Sequence, residues 1–161
     1  MKKILFLLVA TFLLAACTKE DEALVGTTWS LSYGGASVNL ETGDTVSIGS
    51  YSFKIKFETA NQGHAYLNTS ETRYWGNDTI TYAIYGVFDV SYSFNGENQE
   101  GTITFTKEHC EGVMYAEEYF DYLWNEPITS SFYTYDDSKM LIYSYPGEFS
   151  INSHLMTLTK E

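Results

Sequence analysis

The chain has 161 residues, 44% hydrophobic and 17% aromatic, with nine Lys and Arg against 21 Asp and Glu for a formal net charge of −12. That balance excludes nucleic acid as a partner, because binding to a phosphate backbone needs clustered Lys and Arg that displace counterions. It also opposes adsorption to anionic lipid, and the two cysteines, at 17 and 110, leave no internal disulfide once Cys17 is otherwise occupied.

The chain opens with Lys2-Lys3, an apolar run from Ile4 to Leu14, and Leu14-Ala15-Ala16-Cys17. The run is shorter than the roughly 20 residues a spanning helix needs, and a charged start followed by a short apolar stretch and small residues is the pattern of a secretory signal. The segment resembles a bacterial lipoprotein export signal. The resemblance implies cleavage before Cys17, acylation of its sulfur and nitrogen (palmitate among the acyl groups), and a mature chain of 145 residues held to a membrane by lipid. The alternative is an ordinary cleaved signal with an incidental cysteine. Loss of Lys2 and Lys3 takes the net charge from −12 to −14. Residues 1–16 are thus read as signal peptide, 17–23 as lipidated cysteine and acidic tether, and 24–161 as a single domain. Thr18-Lys19-Glu20-Asp21-Glu22 has no core-forming residue. It resembles the acidic run that sends Bacteroidota lipoproteins to the outer face of the outer membrane, which implies surface exposure; a plain solvated spacer, and a periplasm-facing protein, are the alternatives.

From Thr27 the pattern is strand after strand. Thr27–Tyr33 and Ser37–Leu40 come first, then a turn at Glu41–Asp44 with a continuation at Thr45–Ile48. Tyr51–Glu58 alternates strictly, placing Tyr51, Phe53, Ile55 and Phe57 on one face and Lys54, Lys56 and Glu58 on the other. His64–Thr69 and Thr79–Gly86 follow; Phe88–Phe94 repeats the alternation with Phe88, Val90, Tyr92 and Phe94, and a turn-rich Asn95–Gly101 makes a hairpin with Thr102–Thr106. In Val113–Asn125, Ala116, Tyr119, Phe120, Leu123 and Trp124 have helical spacing, with Pro127 as a stop, so one short amphipathic helix is expected. Thr129–Tyr135, Met140–Tyr145 and His154–Thr159 complete nine or ten strands, separated by turns at Asp136–Lys139 and Pro146–Glu148. The fold class is all-β: an antiparallel up-and-down meander, which closes into a barrel because closure removes exposed edges.

The opening Leu24-Val25-Gly26-Thr27-Thr28-Trp29-Ser30-Leu31 and the closing Leu155-Met156-Thr157-Leu158-Thr159-Lys160 resemble the first and last strands of the lipocalin-like lipoproteins of Bacteroidota. Two residues separate Gly26 from Trp29, where lipocalins have one. The opening is also similar to META domains, whose asparagine-containing cysteine motif is missing here. The first resemblance implies a lipocalin-like barrel that binds a ligand and is not an enzyme.

The site readings follow. Inward Phe53, Phe57, Phe88, Tyr92 and Phe105 line an apolar interior suited to a small apolar or amphipathic ligand, unless the rings simply fill a narrow barrel. The second reading is a non-catalytic outer-face module for a glycan or protein partner, with Tyr74, Trp75 and Tyr85 as a stacking platform. No catalytic residue is called: His64, His109 and His154 lie on different elements, no nucleophile elbow, phosphate loop or His-Glu-x-x-His is present, and Glu117-Glu118 would diverge on a helix. No metal site is called either, since consecutive residues in His109-Cys110-Glu111 alternate faces on a strand. No cofactor is expected, and the protein is expected as a monomer. Asp44-Thr45-Val46 and Asp78-Thr79-Ile80 resemble the acceptor sequence for O-glycosylation in exported Bacteroidota proteins, which makes Thr45 and Thr79 candidate acceptors.

Overall fold

A computed structural model of the chain describes residues 22–113, 125–135, 137–143 and 155–161. They form eight strands: β1 (Thr28–Val38), β2 (Thr45–Phe57), β3 (Gln62–Trp75), β4 (Asp78–Asn95), β5 (Glu100–Val113), β6 (Ile128–Tyr135), β7 (Lys139–Tyr143) and β8 (Leu155–Lys160). Each pairs antiparallel with the next, and β8 returns to β1, so the meander is a closed barrel in chain order. The seam is short. It consists of Trp29 opposite Lys160 and Ser30 opposite Thr159, reinforced by the Glu161 N–H donating to the Thr28 carbonyl at 2.9 Å and by a Lys54–Glu161 ion pair at 2.8 Å.

The strands are fewer and longer than the segments read from the sequence. Thr28–Tyr33 and Ser37–Val38 belong to β1, Thr45–Ile48 and Tyr51–Phe57 to β2, and Thr79–Gly86 and Phe88–Phe94 to the 18-residue β4. The apparent breaks stay paired: Gly34 and Gly35 face Ser50 and Gly49, and Gly86 faces Leu67 and Cys110. Glycine there thins the wall without turning the chain. The helical spacing of Val113–Asn125 falls almost wholly outside the described residues, as do Cys17, most of the acidic tether, Glu117, Glu118, the Pro146–Glu148 turn and His154; among the described residues there is no helix.

Period-two alternation sorts the wall. Inward Trp29, Ile55, Phe57, Phe88, Ile103, Phe132, Met140, Ile142 and Leu158 are almost fully buried. Outward residues form cross-strand hydroxyl pairs: Ser50–Ser70 at 2.9 Å, Thr72–Thr81 at 3.0 Å, Ser93–Thr102 at 2.9 Å and Thr104–Thr129 at 2.8 Å. An apolar interior within a hydroxyl-rich wall is the reverse of a membrane-spanning barrel, whose apolar band faces lipid. Among the described residues, no helix is long and apolar enough to cross a membrane.

The two ends of the barrel differ. At one end the chain enters through Glu22–Thr27 and leaves at Glu161. Leu24 is buried there, the Gly26 N–H donates to the Phe57 carbonyl at 2.8 Å, and Trp29 is buried with its Nε1 donating to Thr27 Oγ1 at 2.9 Å. Toward the other end the inward face of β1–β5 becomes polar. Tyr33 stacks on Tyr51 at 5.0 Å, and Arg73 bonds Glu71 at 2.9 Å while lying over the Tyr82 ring at 5.5 Å. Burial, then the neighbouring Tyr33, push the Tyr51 phenol up to about 12.

Candidate functional site

A concavity lies on the outer wall, where β4, β5 and β6 meet at the end through which the chain enters. Its volume is about 770 Å³, and Ser93, Asn95, Asn98, Glu100, Ser131, Tyr133 and Tyr143 are among its lining. Gly101 thins its floor. A Cβ there would run into the Ser93 carbonyl oxygen and the Phe132 ring, so this glycine is required by close approach.

Two elements fix the groove. The first is the β4–β5 turn, Gly96–Gln99. Asn95 Oδ1 accepts from the N–H groups of Glu97 at 2.9 Å and Asn98 at 3.3 Å. Gln99, at a positive φ of 59°, donates from Nε2 to the Gly96 carbonyl at 2.6 Å and accepts from Thr134 Oγ1 at 2.6 Å; the Thr134 N–H also donates to the Gln99 carbonyl at 2.8 Å. The turn is thereby bolted to β6, which sets Asn98 and Glu100 beside the tyrosines.

The second element is the β6–β7 hairpin. Register places Ser131 opposite Tyr143, Tyr133 opposite Leu141 and Tyr135 opposite Lys139, all on the outer face. The rings of Tyr133 and Tyr135 are 5.9 Å apart and tilted by 40°, and those of Tyr133 and Tyr143 are 5.8 Å apart and tilted by 31°. Lys139 lies over Tyr135 at 5.9 Å, and Leu141 is buried beneath the rings. A hydrogen bond with Tyr143 raises the Tyr133 phenol above its usual range. Three neighbouring tyrosine rings thus stand on the outer face, and Tyr133 and Tyr143 line the groove with the amide, hydroxyl and carboxylate groups of Asn95, Asn98, Ser131 and Glu100.

Inside the barrel the five aromatic residues expected to line a cavity are buried and in mutual contact. Phe53 and Phe105 are 5.8 Å apart, Phe88 and Phe105 6.4 Å, and Phe57 and Tyr92 4.6 Å; Phe57 and Phe94 both stack with Phe132. The Tyr92 hydroxyl donates to the Thr59 carbonyl at 2.5 Å. These rings fill the half of the barrel nearest the chain entry.

Residues 1–18 match the model of the prokaryotic membrane lipoprotein lipid attachment site. The chain is a membrane-anchored lipoprotein. No curated protein and no solved structure matches it.

In the lipoprotein the remaining sequence-derived positions are dispersed. Tyr74, Trp75 and Tyr85 are exposed, Trp75 at 83%, but they build no common platform: Tyr74 faces Thr79 whereas Tyr85 faces Asn68, six residues or about 20 Å further along β4. Trp75 takes the opposite face from Tyr74 by alternation. Thr45 and Thr79 are exposed at the starts of β2 and β4. His109 Nε2 meets Glu111 at 3.0 Å on the outer face, while Cys110 packs half-buried against the core. Sequence reading missed Tyr133, Tyr135 and Tyr143 as a group. The alternation of Tyr133 and Tyr135 before a tight turn was the available signal, and only the hairpin register adds Tyr143.

Proposed function

We propose that the lipoprotein is a non-catalytic binding protein that holds an uncharged saccharide in the groove on its outer wall. The observation that carries this reading is the pair of rings Tyr133 and Tyr143 lining the groove together with Asn95, Asn98 and Glu100. A sugar ring has an apolar C–H face and a polar rim; rigid tyrosines meet the first at low entropic cost, and amides and carboxylates meet the second. The groove volume suits a small ligand, and Glu100 together with a net charge of −12 disfavours acidic glycans. A small apolar ligand bound among Phe53, Phe57, Phe88, Tyr92 and Phe105 would have to part rings already in contact, so the outer wall is preferred. The lipocalin-like resemblance supports a binding role over an enzymatic one. The acidic Glu20-Asp21-Glu22 run supports a place on the cell-surface side of an outer membrane, as in Bacteroidota lipoproteins, with the domain acting as a monomer.

The test is calorimetric titration of the unacylated Cys17→Ser chain with neutral oligosaccharides. Tyr133→Ala and Tyr143→Ala should each weaken binding at least tenfold, about 1.4 kcal/mol, while leaving the fold intact. The reading falls if no neutral saccharide binds, or if both variants bind as the parent does. An apolar molecule recovered by mass spectrometry from the native protein would return the site to the interior.

A further inference from the structure

A second cluster lies on the outer wall, away from the tyrosine groove. His64 on β3 stands directly opposite Asp89 on β4. On β5 the register slips between Val87 and Phe88: Lys107 faces Phe88 and His109 faces Val87, so Glu108 is an extra residue with no opposite number. Such a bulge re-aims a side chain. Here it brings the Glu108 carboxylate to the pair formed by His64 and Asp89, and one donor atom from each of the three lies within 4.8 Å of the other two.

The orientation of the imidazole is informative. Nδ1 of His64 lies 3.1 Å from Glu58 Oε2, and Glu58 is itself held by Lys56 at 2.8 Å. A carboxylate at Nδ1 fixes the proton on that nitrogen and leaves the Nε2 lone pair facing outward, the arrangement that orients metal-bound histidines. Nε2 then faces Asp89 Oδ1 at 3.5 Å. That is longer than an N–H···O hydrogen bond. It matches the separation of about 3.3–3.5 Å between two donors sharing one tetrahedral ion at about 2.0–2.1 Å.

We infer that His64, Asp89 and Glu108 form a divalent metal site, with Glu58 as the residue that orients His64. One imidazole and two carboxylates favour zinc over calcium or magnesium, which take oxygen ligands. Glu58, Asp89 and Glu108 bring three carboxylates to His64, against the Lys56 ammonium bonded to Glu58 and Lys107 beside Glu108, which favours a cation. Three protein ligands leave a fourth position open, and a cavity of about 400 Å³ lined by Thr59, Gln62, His64, Asp89 and Thr106 lies beside it for water or a further ligand. The exposed Glu108 carboxylate closes on the ion by rotamer adjustment, within the freedom of a surface side chain.

The experiment is zinc titration of the intact, untagged lipoprotein in detergent, followed by calorimetry and by the thermal unfolding temperature. One zinc per chain is expected, with His64→Ala and Glu108→Gln each weakening it at least a hundredfold and Glu58→Gln by about 10- to 100-fold. His109→Ala serves as control, an exposed histidine paired with Glu111 away from the cluster, and should change nothing. The unfolding temperature without zinc should be the same in every variant, which separates lost ligation from lost fold. No zinc uptake by the parent chain would overturn the assignment. So would His64→Ala binding as the parent does, or His109→Ala losing the ion.

Discussion

Phe57→Ala is the sharpest test of the face assignment. The ring is fully buried, edge-on to Tyr92 at 4.6 Å and 73°, and stacked at 6.4 Å with Phe132. Its backbone is fixed on both sides, the N–H donating to the Thr27 carbonyl and the carbonyl accepting from Gly26, so the site cannot collapse easily around the void. Truncation should therefore cost about 3–5 kcal/mol, of which about 0.5–1.5 belongs to the lost edge contact with Tyr92. Lys56, one residue earlier, points into solvent, so Lys56→Ala should leave the unfolding midpoint where it was. Urea denaturation of the unacylated Cys17→Ser chain, with slopes compared, ranks the two. If both variants moved the midpoint alike, or if Phe57→Ala cost less than about 1 kcal/mol, the inward assignment of Phe57 and the ring-packed end would be wrong.

Cys17→Ser should release the chain to the soluble fraction and abolish labelling by a radioactive fatty acid; a labelled or membrane-bound variant would refute lipid as the sole attachment. Stability should also depend on alkaline pH through Tyr51, whose folded-state phenol is pushed up to about 12 by burial and then by Tyr33. The folded state keeps this proton above the unfolded value of about 10, so stability is full below about pH 10 and falls from there to about pH 12. Tyr51→Phe should flatten that limb, and an unaltered slope between pH 10 and 12 would exclude Tyr51 as its source.

The closed all-β architecture was legible because it is written locally. Tyr51–Phe57 and Phe88–Phe94 alternate strictly, and the inward residues they name are buried, Tyr51 partly. The over-division of strands has a physical cause: Gly34-Gly35 and Gly86 carry the composition of turns, yet pairing with β2 holds the first two extended and pairing with β3 and β5 holds the third. The sites were less legible because they depend on register. Tyr143 reaches Tyr133 only through the β6–β7 pairing, and Glu108 reaches His64 and Asp89 only through a one-residue slip on β5. Nothing local marks a bulge, and Glu108 reads in the sequence as one more surface acid.

The groove and the chain entry share one end of the barrel. Glu22 lies five residues after Cys17, a span of at most about 18 Å, so the tyrosine surface sits in a thin layer above its own bilayer, while Trp75, at the opposite hairpin, stands far from it. Confinement of that kind converts a three-dimensional search into an encounter at millimolar effective concentration for any saccharide displayed on the same membrane. An intrinsic affinity no stronger than millimolar, useless for capturing a free sugar from dilute medium, would then suffice to keep such a partner occupied.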